Sequence, residues 1–140
     1  MRFKKDDSRY FLKLERGEDV LEALLRFAGE TGVVSGSLTG IGAVADPVIG
    51  YYDLARKAYL RHELRGEYEV VSLTGSLSES EGRPMPHLHV VLSGPDGAAR
   101  AGHLFSARVS LTLEAAFQSY PWPLVRKPDP DTGLKLLDLP

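Results

Sequence analysis

His87, His89 and His103 gather three of the chain's four histidines within one short stretch. In His87-Leu88-His89-Val90-Val91-Leu92, strand geometry sends alternate side chains to opposite faces, so the two imidazoles share one face while Leu88, Val90 and Leu92 take the other. The imidazoles then stand about 6.6 Å apart along the backbone. Neutral imidazole is a common metal ligand, and its ordinary pKa lies close to neutrality. A third histidine, in Gly102-His103-Leu104, makes up the three protein ligands that a catalytic zinc takes when its fourth position stays open to water. The same pattern also fits a half-exposed sheet face whose imidazoles bond water or neighbouring carbonyls, and the residues alone leave both readings open. With no cysteine in the chain, disulfides, thiol catalysis and a closed cysteine-bearing zinc site are excluded.

The elements that must position these residues are written in the periodicity. Arg9–Glu15 has the aromatic and aliphatic content of a strand, ended by Arg16-Gly17. From Glu18 to Thr31, Leu21, Leu24, Leu25 and Ala28 recur at helical spacing, Glu18, Asp19 and Glu22 are acidic in the first turns, and Gly32 is a stop. The spacing predicts one helix, and its apolar stripe needs a sheet to lie on. Val33–Leu38 and Val44–Tyr52 read as two strands around the small-residue stretch Gly36–Gly42. That stretch lacks the Lys-Ser or Lys-Thr ending of a phosphate loop and opens no helix, so its glycines serve bends, bulges or close backbone approach. Tyr51–Leu60 reads as a hairpin, His62 as a solvated face residue, and Tyr68–Leu77 as a central strand with apolar residues on both faces.

Ser78–Pro86 reads as a polar loop. It contains Gly82-Arg83-Pro84, the core tripeptide of the AT-hook, but Glu79 and Glu81 precede it and Met85-Pro86 follow where an AT-hook has further basic residues. Ser93-Gly94-Pro95-Asp96-Gly97 is a turn that returns Ala98–Leu104 alongside the histidine strand and brings His103 toward His87. Arg108–Phe117 is a last strand with Val109, Leu111 and Leu113 on one face. Residues 118–140, with Pro121, Trp122, Pro123, Pro128 and Pro130, form a proline-rich, extended C-terminal arm.

A length of 140 residues with 43% hydrophobic content predicts a single domain over residues 1–140. A net charge of -2 and a pI near 6.1 exclude a general electrostatic attraction to nucleic acid. A local stripe of Arg56, Lys57, Arg61 and Arg65 is interrupted by Glu63 and Glu67, so DNA binding is expected to be weak and non-specific. The amino terminus is too charged for a signal peptide and no apolar run is long enough to span a bilayer, which leads us to expect a soluble, cytoplasmic protein without membrane contact.

The motif order is a helix, Gly36-Ser37-Leu38-Thr39-Gly40-Ile41-Gly42-Ala43, Gly66–Gly75, His87-Leu88-His89, Gly102-His103-Leu104 and Thr112-Leu113-Glu114. In this order the chain resembles, over nearly its whole length, the plants-and-prokaryotes-conserved (PPC) domain that plant AT-hook nuclear proteins carry. It departs from the plant signature Gly-Arg-Phe-Glu-Ile-Leu, which here reads Gly66-Glu67-Tyr68-Glu69-Val70-Val71, and no AT-hook flanks the domain. The resemblance implies an α+β fold, a mostly antiparallel β-sheet packed with one main α-helix, assembled as a homotrimer. The family's three-histidine pattern falls on His87, His89 and His103, which implies a site there for a divalent metal, zinc first, or a small ligand. No reaction comes with the resemblance, and Glu114 is the nearest conceivable general base on motif grounds. The alternatives are a DNA-associated or regulatory assembly module without catalysis, and a structural trimer whose histidines only satisfy hydrogen bonds.

Overall fold

Asp19 opens the single helix, α1 (Val20–Thr31). Its carboxylate accepts hydrogen bonds from the backbone N–H groups of Leu21 (2.9 Å) and Glu22 (3.1 Å), donors that the first helical turn cannot satisfy itself. Gly32 closes the helix in the left-handed region at φ 70°, with its N–H bonded to the Ala28 carbonyl. The molecule is described by a computed structural model covering residues 1–140. The buried stripe is Val20, Ala23, Leu24, Phe27 and Ala28, whereas Leu25, expected inside, is 40% exposed. Phe27 sets this rotation, because its ring packs edge-on against Phe3, Tyr10 and Phe117 with centroids 5.0–5.5 Å away.

Nine strands supply the surface on which α1 lies: β1 (Arg2–Asp6), β2 (Arg9–Glu15), β3 (Gly36–Asp53), β4 (Ala58–Glu63), β5 (Glu67–Ser80), β6 (Arg83–Ser93), β7 (Ala99–Ser119), β8 (Val125–Pro128) and β9 (Lys135–Asp138). The pairings are antiparallel except for one parallel bridge, Glu79 of β5 opposite Val125 of β8. Strands β5 and β7 both pair with β3 and both pair with β6, so the hydrogen bonding closes into a circuit β3–β5–β6–β7. The β1–β2 hairpin extends the sheet beyond β7. Leu12, Leu14, Leu73, Leu77, Leu88, Leu92 and Leu113 fill the core beneath the helix, each at most 2% exposed. This is the α+β, mostly antiparallel arrangement that the sequence led us to expect.

Several segments differ from that reading. Ser78–Pro86 is not a loop: β5 and β6 run on to Ser80 and Arg83 around a two-residue turn, Glu81-Gly82, with φ of 55° and 72°. Pro84 and Pro86 are tolerated because β6 pairs only with β5 over Arg83–Leu88, so its other side there carries no ladder that needs an N–H. The Gly36–Gly42 stretch does not separate two strands but lies within the continuous β3, and β7 runs unbroken for 21 residues. On β7, Leu111 faces solvent at 71% exposure while Val109 and Leu113 are buried. The register slips between them, four residues on β7 spanning what β3 covers in two, and the surplus turns Leu111 outward. The arm is ordered by pairing, since β8 and β9 form their own ladder and Tyr120 stacks on Trp122 at 5.6 Å.

Candidate metal centre

One row across the sheet builds the site. Arg61 on β4, Gly50 on β3, His103 on β7, His89 on β6 and Thr74 on β5 are successive register partners. Directly paired residues share a face, so His103 and His89 point the same way, and His87, two residues back on β6, joins them. Leu88 and Val90 alternate with the histidines and are buried on the core side, which anchors this orientation. The structure thus brings His87, His89 and His103 together, with one ring nitrogen from each within 4.8 Å of the others. Ring centroids lie 5.1–5.5 Å apart. His62, next to Arg61 on β4, is exposed outside the cluster, as its sequence context suggested.

Close backbone approach makes room for this cluster. A Cβ at Gly75 would lie 2.0 Å from the carbonyl oxygen of His87, so only glycine lets β5 come so near the histidine strand. A Cβ at Gly50 would lie 2.6 Å from the Phe105 ring, which packs against His103 at 4.7 Å. Tyr59 covers another side of His103 at 5.0 Å, and the Arg61 guanidinium stands 4.0 Å over the Phe105 ring.

These walls decide protonation. Burial, reinforced by the charges of His87, His89, Arg61 and Arg126, pushes His103 down to about 4. Burial likewise lowers His87, with Arg126 and His89 adding to it. Both rings are therefore neutral near pH 7, the form that coordinates a metal. His103 Nδ1 is buried and has no hydrogen-bond partner. A buried imidazole nitrogen without a partner, on a ring that joins two others within ligating distance, is a donor that a cation can satisfy, and the residues present fit a divalent metal. His89 is exposed, which leaves the cluster open to solvent on one side.

One neighbour was missed by sequence reasoning. Arg126, on β8, is 7% exposed; its Nε donates to Ser78 Oγ (2.9 Å), its Nη1 to the Lys135 carbonyl (3.1 Å) and its Nη2 to His87 Nδ1 (2.9 Å). It takes part in no ion pair. No local pattern marks an arginine in a proline-rich arm for such a place. Glu114, by contrast, does not reach the site: it is exposed opposite Lys13 and Ile41, on the order of 30 Å along β7 from His103 by strand rise. The basic stripe is also spoken for, since Arg56 pairs with Asp53 (3.6 Å), Arg65 with Glu63 (3.2 Å), Lys57 donates to the Pro130 carbonyl (3.0 Å), and Arg61 caps Phe105.

Fold and site together define a single-helix α+β protein with a trihistidine cluster on the open face of a closed strand circuit. Residues 1–121 match the Plants and Prokaryotes Conserved (PCC) domain, and the chain belongs to that family. It is similar to a provisionally assigned DNA-binding protein of Bacteroides thetaiotaomicron, with 31% identity, TM-score 0.94, and coverage of 98% of this chain and 96% of that one. It is similar to a plant- and prokaryote-conserved protein of Pyrococcus horikoshii, with 29% identity, TM-score 0.88, and coverage of 99% and 94%. A metal-containing protein of Archaeoglobus fulgidus shares 35% identity at TM-score 0.87, covering 99% of this chain and 97% of that one. No curated protein matches the chain. No helix is long and apolar enough to cross a membrane.

Proposed function

We propose that the chain binds a divalent metal, zinc first, through His87, His89 and His103, with an open position for water or a small ligand. The observation that carries this is the convergence of three ring nitrogens within 4.8 Å, one of them on a ring held neutral down to about pH 4. The metal-containing relative supports it. A metal so held would supply Lewis acidity and a bound water of lowered pKa, while the chain's own residues hold the three rings in register and shield His87 and His103 partly from solvent. Zinc titration of the metal-stripped protein tests the reading. His87→Ala, His89→Ala and His103→Ala should each lose most of the affinity while His62→Ala retains it; equal binding by all of them would remove the shared site.

The assembly we infer is a homotrimer. Its support is an apolar face that bulges turn outward: Val71 is the surplus residue of β5 and Leu111 lies in the surplus of β7, and with Ile41 they stand 56–71% exposed. Ile41 and Val71 line one shallow depression and Leu111 the adjoining one, with Glu69 on the wall of both. DNA contact, favoured by the provisional assignment of a relative, would be weak and non-specific, because the basic residues that it needs already have partners within the chain.

A further inference from the structure

Arg126 presents an unresolved conflict at the trihistidine cluster. A neutral imidazole has one lone-pair nitrogen and one N–H, and a guanidinium can only donate. The bond from Arg126 Nη2 to His87 Nδ1 (2.9 Å) therefore occupies the lone pair of Nδ1 and fixes the proton on Nε2. In that state His87 has no lone pair to give a metal. Coordination by His87 and the Arg126 hydrogen bond exclude one another, whichever ring nitrogen coordinates.

The consequence for Arg126 follows from its burial. Its Nε and Nη1 stay tied to Ser78 Oγ and the Lys135 carbonyl, which hold the guanidinium where it is. Once His87 is engaged, Nη2 loses its acceptor, and a cation 7% exposed and outside every ion pair of the chain is left beside a second positive charge. Burying like charges without a counter-charge is costly, and an anion removes the cost. Guanidinium donors form short, charge-assisted bonds to carboxylate and phosphate oxygens. Resting on the metal reading above, we propose that Arg126 makes the site one for a metal together with a small oxyanion: the guanidinium lets go of His87 and holds the anion, so that the two ligands bind cooperatively. The ligand class is a carboxylate or phosphate small enough to lie between the cluster and β8, and Arg126 is its positioning residue.

The test compares zinc affinity of the metal-stripped protein in chloride with that in acetate and in phosphate at matched ionic strength. In the wild type, at least one oxyanion should tighten zinc by about tenfold, the size of one charge-assisted hydrogen bond, and the effective arm identifies the oxyanion. Arg126→Gln should lose this enhancement while binding zinc alone at least as tightly as the wild type, because the competing hydrogen bond is gone. Arg126→Lys keeps the charge without the fork, should show a reduced enhancement, and carries the comparison if the glutamine variant fails to fold by circular dichroism. Zinc binding by the wild type that neither anion changes, an enhancement that survives in both variants, or weaker binding of zinc alone by both would overturn the role of Arg126 and leave the metal site standing. Absence of zinc binding by the wild type would overturn both.

Discussion

Lowering the pH separates a site of three ordinary histidines from the one this fold builds. A proton competes with the metal for each imidazole, and a histidine of ordinary pKa 6.5 weakens binding at pH 5.5 by a factor of about 11. His103, held at about 4 by burial against Tyr59 and Phe105, is charged in only about 3% of molecules at that pH, so its share of the competition is close to nothing. Three ordinary ligands would together cost on the order of a thousandfold at pH 5.5, and removing His103 from the competition returns about one factor of ten. The logarithm of the zinc association constant should therefore rise with pH at a slope of two or less between pH 5 and 6. Chelator-competition titrations at several pH values measure that slope, and calorimetry in buffers of different ionisation enthalpy counts the protons released. A slope approaching three would refute the claim that burial keeps His103 neutral.

The same shift bears on stability without metal. Because the folded pKa of His103 lies below its unfolded value of 6.5, its contribution is fully present above pH 6.5 and is lost as pH falls toward about 4, by on the order of 1–2 kcal/mol for a half-buried ring screened by solvent; metal-free urea melts that are flat over this window would contradict it. Gly75→Ala, whose Cβ would meet the His87 carbonyl at 2.0 Å, should cost about 1–3 kcal/mol in thermal melts and impair zinc binding, whereas Gly29→Ala on the open side of α1 should be neutral or stabilising by up to about 1 kcal/mol. Leu88→Ala, which empties a 1% exposed position between the two histidines of β6, should lose about 2–5 kcal/mol in denaturant titration. Val71→Glu should convert a trimer into monomers by light scattering with little change in circular dichroism, and an unchanged mass would remove Val71 from the interface.

What the sequence made legible was local. The period-two pattern around His87 and His89 and the turn after Ser93 were enough to bring His103 beside them, because a hairpin is specified by neighbours in the chain. The helix was legible from Asp19 and Gly32, but its rotation was not, since that depends on Phe3, Tyr10 and Phe117 meeting Phe27 from other strands. Leu111 and Val71 escaped alternation because a bulge is a mismatch between two strands and neither strand records it alone. Ser78–Pro86 has the composition of a loop, and its place in a ladder rests on β6 having a free side that tolerates two prolines. Arg126 and His87 are 39 residues apart, and Glu114 was drawn toward the site by its motif although the strand carries it away. Long-range pairing leaves no periodic trace.

The three imidazoles come from one hairpin, but the guanidinium beside them comes from β8, beyond the residues 1–121 that match the family. The arm meets the circuit through a parallel bridge at Glu79, the Glu79 N–H to Leu124 carbonyl bond, and side-chain bonds that join Ser78 to Arg126, Ser35 to Trp122, Tyr52 to Thr132, Lys57 to Pro130 and Glu81 to Lys135. The core and the charged neighbour of the cluster thus come from different stretches of the chain. Altering β6 or β7 disturbs core packing and the trihistidine cluster at once, because the buried Leu88, Val90 and Leu104 are chain neighbours of the histidines. Residues 123–138 place Arg126 beside the cluster, and none of them belongs to the 23-residue core cluster.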